Sequence, residues 1–294
     1  LMGAAAAAAS AGGGDFYDHQ IANSLRNSAA QDGNLTFTAG TPTSSTTFTM
    51  SYWVKRYNTS GGGSDNLVFT TGTGGGTYLF WGFSAADFNL QPAGGNWSGS
   101  QMNSDNMYRD TSAWYHHVLT FDSTNATQAD RLKVYVNGER ITSWSTEDVT
   151  AGIGASEAFS FINQSGVVQA FGGLAGKGHG TVGADLQMAE IVFNDGQAYG
   201  PDSYGETKNG VWIPKDPSGL TFGDNGYWLN FAASGDLGND VSGNNNDFTV
   251  ANIAAHDQML DSPTFNSDSN GGNWNTLNAV DLNSADAGLA DGGL

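Results

Sequence analysis

The chain has 294 residues, with 10 Lys and Arg against 29 Asp and Glu, a formal charge of −19, and no cysteine. That balance argues against nucleic acid as a partner, because phosphate contacts need clustered Lys and Arg, and against an anionic membrane surface. Without cysteine there is no disulfide framework and no thiolate metal site, and no apolar run reaches the roughly 18 residues of a membrane span.

Charged residues make up only 13% of the chain, while glycine, at 42 residues, stands well above the ordinary share. Few strong helix formers and many turn formers predict an all-β chain. The opening Leu1–Ser10 (LMGAAAAAAS) lacks the basic and Leu-rich parts of a signal peptide. It reads as an Ala/Gly-rich attachment arm over residues 1–19. Strand signals then recur. Phe48, Met50, Tyr52 and Val54 alternate with Thr49, Ser51, Trp53 and Lys55, a two-residue period. Trp114–Asp122 (WYHHVLTFD) predicts a strand that buries Val118 and Phe121. Arg131–Ile141 (RLKVYVNGERI) predicts a hairpin, with Asn137-Gly138 supplying the left-handed pair of a type I′ turn. Leu186–Asn194 alternates again and stops at Asp195-Gly196, and Tyr227–Phe231 follows Asn225-Gly226. The spacing predicts one sandwich over residues 20–235. Residues 236–294, rich in Asn, Asp, Ser and Gly, read as a turn-rich extension and the start of a further segment, so the chain is expected to be part of a longer polypeptide.

Four stretches carry a resemblance to a family. Ser24–Arg26 with Gly33–Leu35 resembles its opening strand, and Phe48–Arg56 (FTMSYWVKR) its next. Trp114–Asp122 with Val134–Gly138 resembles its central pair, and Met188–Gln197 followed by Asp240–Asn246 (DVSGNNN) its closing strand and turn. The pattern is similar to the laminin-G-like/concanavalin-A-like lectin superfamily, as found in virion-associated proteins of marine bacteriophages. The resemblance implies an antiparallel β-sandwich, or jelly roll, with an Ala-rich N-terminal arm and a loop-rich C-terminal extension. It also implies a non-enzymatic fibre, capsid-decoration or receptor-binding role on a virion, with a homo-oligomer, other virion proteins and a host glycan as partners. A secreted calcium-dependent carbohydrate-binding module and, more weakly, a polysaccharide hydrolase are the alternatives.

Asp236–Asp247 (DLGNDVSGNNND) is the candidate cation loop. It alternates oxygen-bearing side chains as calcium requires, with Asp240, Asn244 and Asp247 as ligands. The competing reading is an Asx-turn cluster that caps its own backbone. His116 and His117 adjoin on a strand and so face opposite ways, one expected packed and one solvated. Residues 178–183 match G-x-G-x-x-G without the following helix that a dinucleotide site needs. None of the five glutamates (Glu139, Glu147, Glu157, Glu190, Glu206) lies in a glucanase-like paired pattern. Glu190 reads as a solvent-facing strand residue. No catalytic residue is therefore assigned. Trp81, Trp97, Trp144, Trp212 and Trp274 are the aromatic side chains near loops that a sugar could stack on.

Overall fold

The computed structural model describes residues 16–265, apart from 29–30, 58–66, 75–76, 85–86, 94–99, 160 and 174–183. Its strands in chain order are β1 (Ser24–Asn27), β2 (Asn34–Thr38), β3 (Thr47–Arg56), β4 (Leu67–Gly74), β5 (Thr77–Ser84), β6 (Asp87–Ala93), β7 (Met102–Met107), β8 (Trp114–Asp122) and β9 (Leu132–Val136). They continue with β10 (Glu139–Arg140), β11 (Trp144–Glu147), β12 (Val168–Phe171), β13 (Leu186–Asp195), β14 (Gly205–Lys208), β15 (Val211–Pro214), β16 (Tyr227–Leu229), β17 (Thr249–Ala251) and β18 (Gln258–Met259). One sheet runs β10-β9-β8-β3-β13-β1-β18, with β16 also pairing β13, and the other runs β11-β7-β6-β5-β4-β12-β2-β17. Every pairing is antiparallel. We call these the first and second sheets. The chain is the expected antiparallel β-sandwich.

The two-residue period decides what lies between them. Phe48, Met50, Tyr52 and Val54 of β3 face the second sheet and are fully buried. Phe48 packs its ring against Phe121, Phe159 and Phe193 at 5.2 to 5.7 Å. At one end Trp81 Nε1 donates to Tyr52 Oη (2.5 Å), which in turn meets His117 Nδ1 at 3.0 Å. Buried aromatics of this size each contribute about 1.5–3 kcal/mol by area alone.

The alternate residues of β3 should face solvent in a two-layer sandwich, yet Thr49, Ser51, Trp53 and Lys55 are buried too. A partial third layer covers the first sheet, built from residues 16–23, the β14–β15 hairpin and residues 260–265. Its keystone is Trp212 of β15. The indole donates from Nε1 to His116 Nδ1 (2.9 Å), and His116 stacks on Trp53 at 4.7 Å between ring centroids. Two glycines make room for it: a Cβ on Gly138 or Gly205 would lie 2.5 Å from the Trp212 ring. Gly138 thus serves both the predicted turn (φ +84°, after Asn137 at +48°) and the close approach.

The sandwich also runs past residue 235, where the sequence suggested it ends. β17 joins the second sheet through β2, and β18 joins the first through β1. The last segment is pinned by Asp257 to Arg26 (2.9 Å) and by Asp261 to the buried Lys55 (2.7 Å). Strands of two and three residues show no period, so polar composition alone gave the wrong boundary. Among the described residues no helix is long and apolar enough to cross a membrane.

Candidate functional site

The candidate cation loop can be examined atom by atom. Asp240 Oδ1 accepts from the main-chain N–H of Trp228 (2.8 Å) and Ser242 (2.9 Å). Its Oδ2 accepts from Ser242 Oγ (2.8 Å) and the N–H of Asn246 (2.9 Å). Asp247 Oδ1 takes the N–H of Asp240 (2.8 Å), and the Asn244 amide donates to the carbonyls of Gly223 and Gly226 (2.7 and 2.8 Å). A cation at Asp240 would have to displace four donors that already fill the carboxylate's lone pairs. The bonds of Asp240, Asn244 and Asp247 are those of an Asx-turn cluster that caps its own backbone. No group of three or more His, Cys, Asp or Glu that could hold a metal occurs among the described residues.

Both histidines of β8 are buried, at 1% and 0% exposure, so neither is the solvated one expected. The third layer is the reason: it closes over His116, while His117 enters the core among Tyr52, Phe83, Phe88 and Tyr108. Burial pushes both down to about 3, helped at His116 by the neighbouring His117 and at His117 by Arg56. Both are neutral, packed groups at neutral pH.

Glu190 is not solvent-facing either. It sits at φ +48° where the β13–β3 register shifts between Ala189 and Val192, a bulge that re-aims its side chain. The carboxylate is 8% exposed and meets His19 Nε2 at 2.9 Å, while its Oε1 has no hydrogen-bond partner among the described residues. Burial disfavours the charged His19 imidazole. The hydrogen bond and charge of Glu190, together with the charge of Asp216, outweigh that and raise its pKa above 6.5. A raised histidine stabilises the fold fully below the unfolded value and loses that contribution as pH climbs through the folded value. In an NMR titration His19 is therefore expected to titrate above 6.5, and the Glu190→Gln variant to bring it back down. An unchanged His19 titration in that variant would refute the pairing.

The tryptophans divide in the same way. Trp81 is a core residue, Trp144 packs edge-on to Phe88 at 6.3 Å, and Trp212 clamps the hairpin. Trp97 and Trp274 lie outside the described residues, as do the G-x-G-x-x-G stretch and residues 1–15 of the arm.

The outward side of the second sheet is buried over β4 and β12, at Thr70 and Ala170, and is open toward its β6–β7 end. Register fixes what it shows. Trp81, Leu90 and Met102 pair across β5, β6 and β7 and belong to the core, so Asn89 and its partner Asn103, with Gln91, fall on the other side. The Asn89 amide donates to Asn103 Oδ1, and Ser143 Oγ donates to Asp105 Oδ2. Asp105, Asn106 and Ser143 are exposed, and Gln91 and Asn103 are half-buried. Across the sheet Thr36 and Thr38 of β2 share this side, opposite the inward Leu35 and Phe37. Among the described residues, the β6–β7 end is a row of amides, hydroxyls and one carboxylate. Such a row exchanges hydrogen bonds with a polyhydroxylated ligand. The row was not recognised from the sequence, although the alternation in FNLQ (residues 88–91) carries it.

No curated protein matches this chain. Among solved structures it is similar to the heptameric SAP-like pentraxin of Limulus polyphemus, at 14% identity over 62% of this chain and 79% of that one, with a TM-score of 0.39. A protein of Bacteroides ovatus described as carbohydrate binding is 16% identical over 80% of this chain and 61% of its own length, with a TM-score of 0.49. Domains LG4-5 of the mouse laminin alpha1 chain are 11% identical over 61% of this chain and 44% of theirs, with a TM-score of 0.40. The Laminin_G_3 family model matches residues 29–175, half of the sequence, from before β2 to the end of β12. The chain belongs to the concanavalin A-like lectin/glucanases superfamily.

Proposed function

We propose that this protein is a non-enzymatic binding module of a virion, a fibre, decoration or receptor-binding component that takes a host glycan on the second sheet. The observation that supports this most is the asymmetry of the two broad faces. One is closed by the hairpin and by both described ends of the chain, and the other, buried at Thr70 and Ala170, carries at its β6–β7 end the row of Gln91, Asn103 and Asp105 backed by the buried Asn89. Phe16, where the described residues begin, lies on the closed side, against Lys208 of the hairpin. Attachment to neighbouring copies or other virion proteins and recognition of the glycan are thereby separated. Four of the five glutamates are accounted for without hydrolysis, and Glu206 lies on the β14–β15 hairpin. Glu190 is tied to His19, Glu157 accepts the N–H of Gly154 (2.6 Å), and Glu139 and Glu147 are exposed on short edge strands. The reading carries no calcium requirement, because the Asp240 carboxylate is saturated by protein donors.

Screening the purified chain against an array of neutral and acidic glycans tests it. Binding is expected to favour neutral sugars, since the row bears a carboxylate and the chain a charge of −19. The double variant Asn103→Ala, Gln91→Ala should weaken it about tenfold, as loss of one or two hydrogen bonds implies, with an unchanged unfolding midpoint. A variant that binds as well as the parent would move the site elsewhere, and turnover of any polysaccharide would overturn the non-enzymatic reading.

A further inference from the structure

Three Asn-Gly pairs lie among the described residues, at 137–138, 209–210 and 225–226. A fourth, at 270–271, lies outside them. An Asn-Gly peptide can modify itself: the main-chain nitrogen of the glycine attacks the asparagine side-chain carbonyl. That reaction needs a free side-chain amide, a free glycine N–H and room to bring them together. The fold gives the three pairs very different access to it.

Asn137 is held. Its Oδ1 accepts the N–H of His116 and its own N–H donates to the His116 carbonyl, both at 2.8 Å. Its glycine lies against the Trp212 ring. Asn225 is 2% exposed. Its Oδ1 accepts from Gly40 N (2.8 Å), and its Nδ2 donates to Gly40 O (3.1 Å) and Asn163 Oδ1 (3.0 Å). The would-be nucleophile, Gly226 N, donates to Gly223 O (3.3 Å). Asn209 and Gly210 are both exposed, at the tip of the β14–β15 hairpin, with φ of +54° and +81°. Lys208 pairs with Val211 to close a two-residue turn. Among the described residues no side-chain hydrogen bond holds Asn209, and nothing stands within 4 Å of the space beside the Gly210 Cα.

We propose that Asn209 is a site of spontaneous deamidation and that the fold protects Asn137 and Asn225 from it. Gly210 N gives up its proton to solvent and bonds to Asn209 Cγ. The Cγ–Nδ2 bond breaks and ammonia leaves, giving a five-membered succinimide. Water then opens the ring at either carbonyl, to aspartate or isoaspartate. The net change is water in, ammonia out, with no oxidant or cofactor. The product is a new carboxylate next to Lys208, whose ammonium meets Asp18 at 3.1 Å and lies 5.8 Å over the Phe16 ring. Modification thus sets a competitor beside the contact that ties the start of the described chain to the hairpin.

The test is peptide mapping by mass spectrometry, with isoaspartate detection, after incubating the folded full chain at mildly alkaline pH. A parallel sample is held unfolded in urea. In the folded protein Asn209 should react at least about tenfold faster than Asn137 or Asn225, because each protected site must first break several hydrogen bonds. In urea the three rates should converge, which shows that structure and not neighbouring sequence sets the order. Equal rates in the folded protein, or an intact Asn209 beside a modified Asn137 or Asn225, would overturn the proposal. So would a rate order that persists in urea.

Discussion

Moving from about pH 8 to about pH 5 is expected to remove roughly 4 kcal/mol of folding stability through two side chains, His116 and His117. Both stand near 3 in the folded protein, against 6.5 for an unburied imidazole. The cause at each is burial first. A folded-state pKa below the unfolded one means that the unfolded chain binds more protons between the two values, so stability falls as pH falls through that window. Each histidine contributes a slope of about 1.4 kcal/mol per pH unit there, and at pH 5 both are still neutral in the fold. His19 acts with the opposite sign and in a different window, above 6.5, because its pKa is raised. The two effects are therefore separable. Urea midpoints measured at half-unit steps should decline below pH 6.5, and His116→Leu or His117→Leu should each halve the decline. A flat profile between pH 6.5 and 5 would mean that water reaches both imidazoles and that the third layer does not seal β8.

Much of this fold is readable along the sequence, and the unreadable parts share a physical reason. β3, β8, β9, β10, β13 and β16 follow from two-residue alternation and from the Asn137-Gly138 turn, because a sheet with one face in the core writes that period directly. The same reasoning misjudged the His116–His117 pair and Glu190. Alternation says which side of a strand a residue takes, and not whether that side is covered by another part of the chain. The cover comes from residues about 200 positions away, such as Asp261, whose carboxylate takes the Lys55 ammonium of β3 at 2.7 Å. A signal for it existed in part: Asn209-Gly210 flanked by Glu206–Lys208 and Val211–Ile213 is a hairpin signature of the same type as Asn137-Gly138. β17 and β18 had no such signal. For the Asp236–Asp247 loop, the composition was legible and its use was not. Calcium and backbone capping call for the same oxygen-rich residues, and only the direction of the N–H groups separates them.

Replacing Asp195 by alanine is expected to cost about 4–5 kcal/mol, among the largest single losses a side chain of this size can give. The sequence shows only a Asp-Gly stop at the end of β13. In the fold this carboxylate is fully buried and gathers three loops. Its Oδ2 accepts the N–H groups of Thr43 (2.6 Å) and Asn225 (3.1 Å), and its Oδ1 accepts the N–H of Ser44 (3.1 Å) and Nδ2 of Asn163 (2.6 Å). Removing it strands four donors, of which the Asn163 amide and the Asn225 N–H are fully buried, and each buried unmet donor costs about 1–3 kcal/mol before relaxation. Relaxation is limited on both sides. Asn225 is fixed to Gly40 and Asn163, and a Cβ on the adjoining Gly223 would lie 2.2 Å from the Asp195 carbonyl oxygen, so the loop cannot close inward. Asp195→Asn keeps one acceptor oxygen and turns an NH2 toward two donors, so it should lose about half as much. Urea unfolding of the parent, Asp195→Asn and Asp195→Ala should therefore give a graded series. A loss below about 1 kcal/mol for the alanine variant would mean that the donors find other partners and that the three loops are held by packing. The graded result would instead make this one carboxylate the fastener of that end of the sandwich.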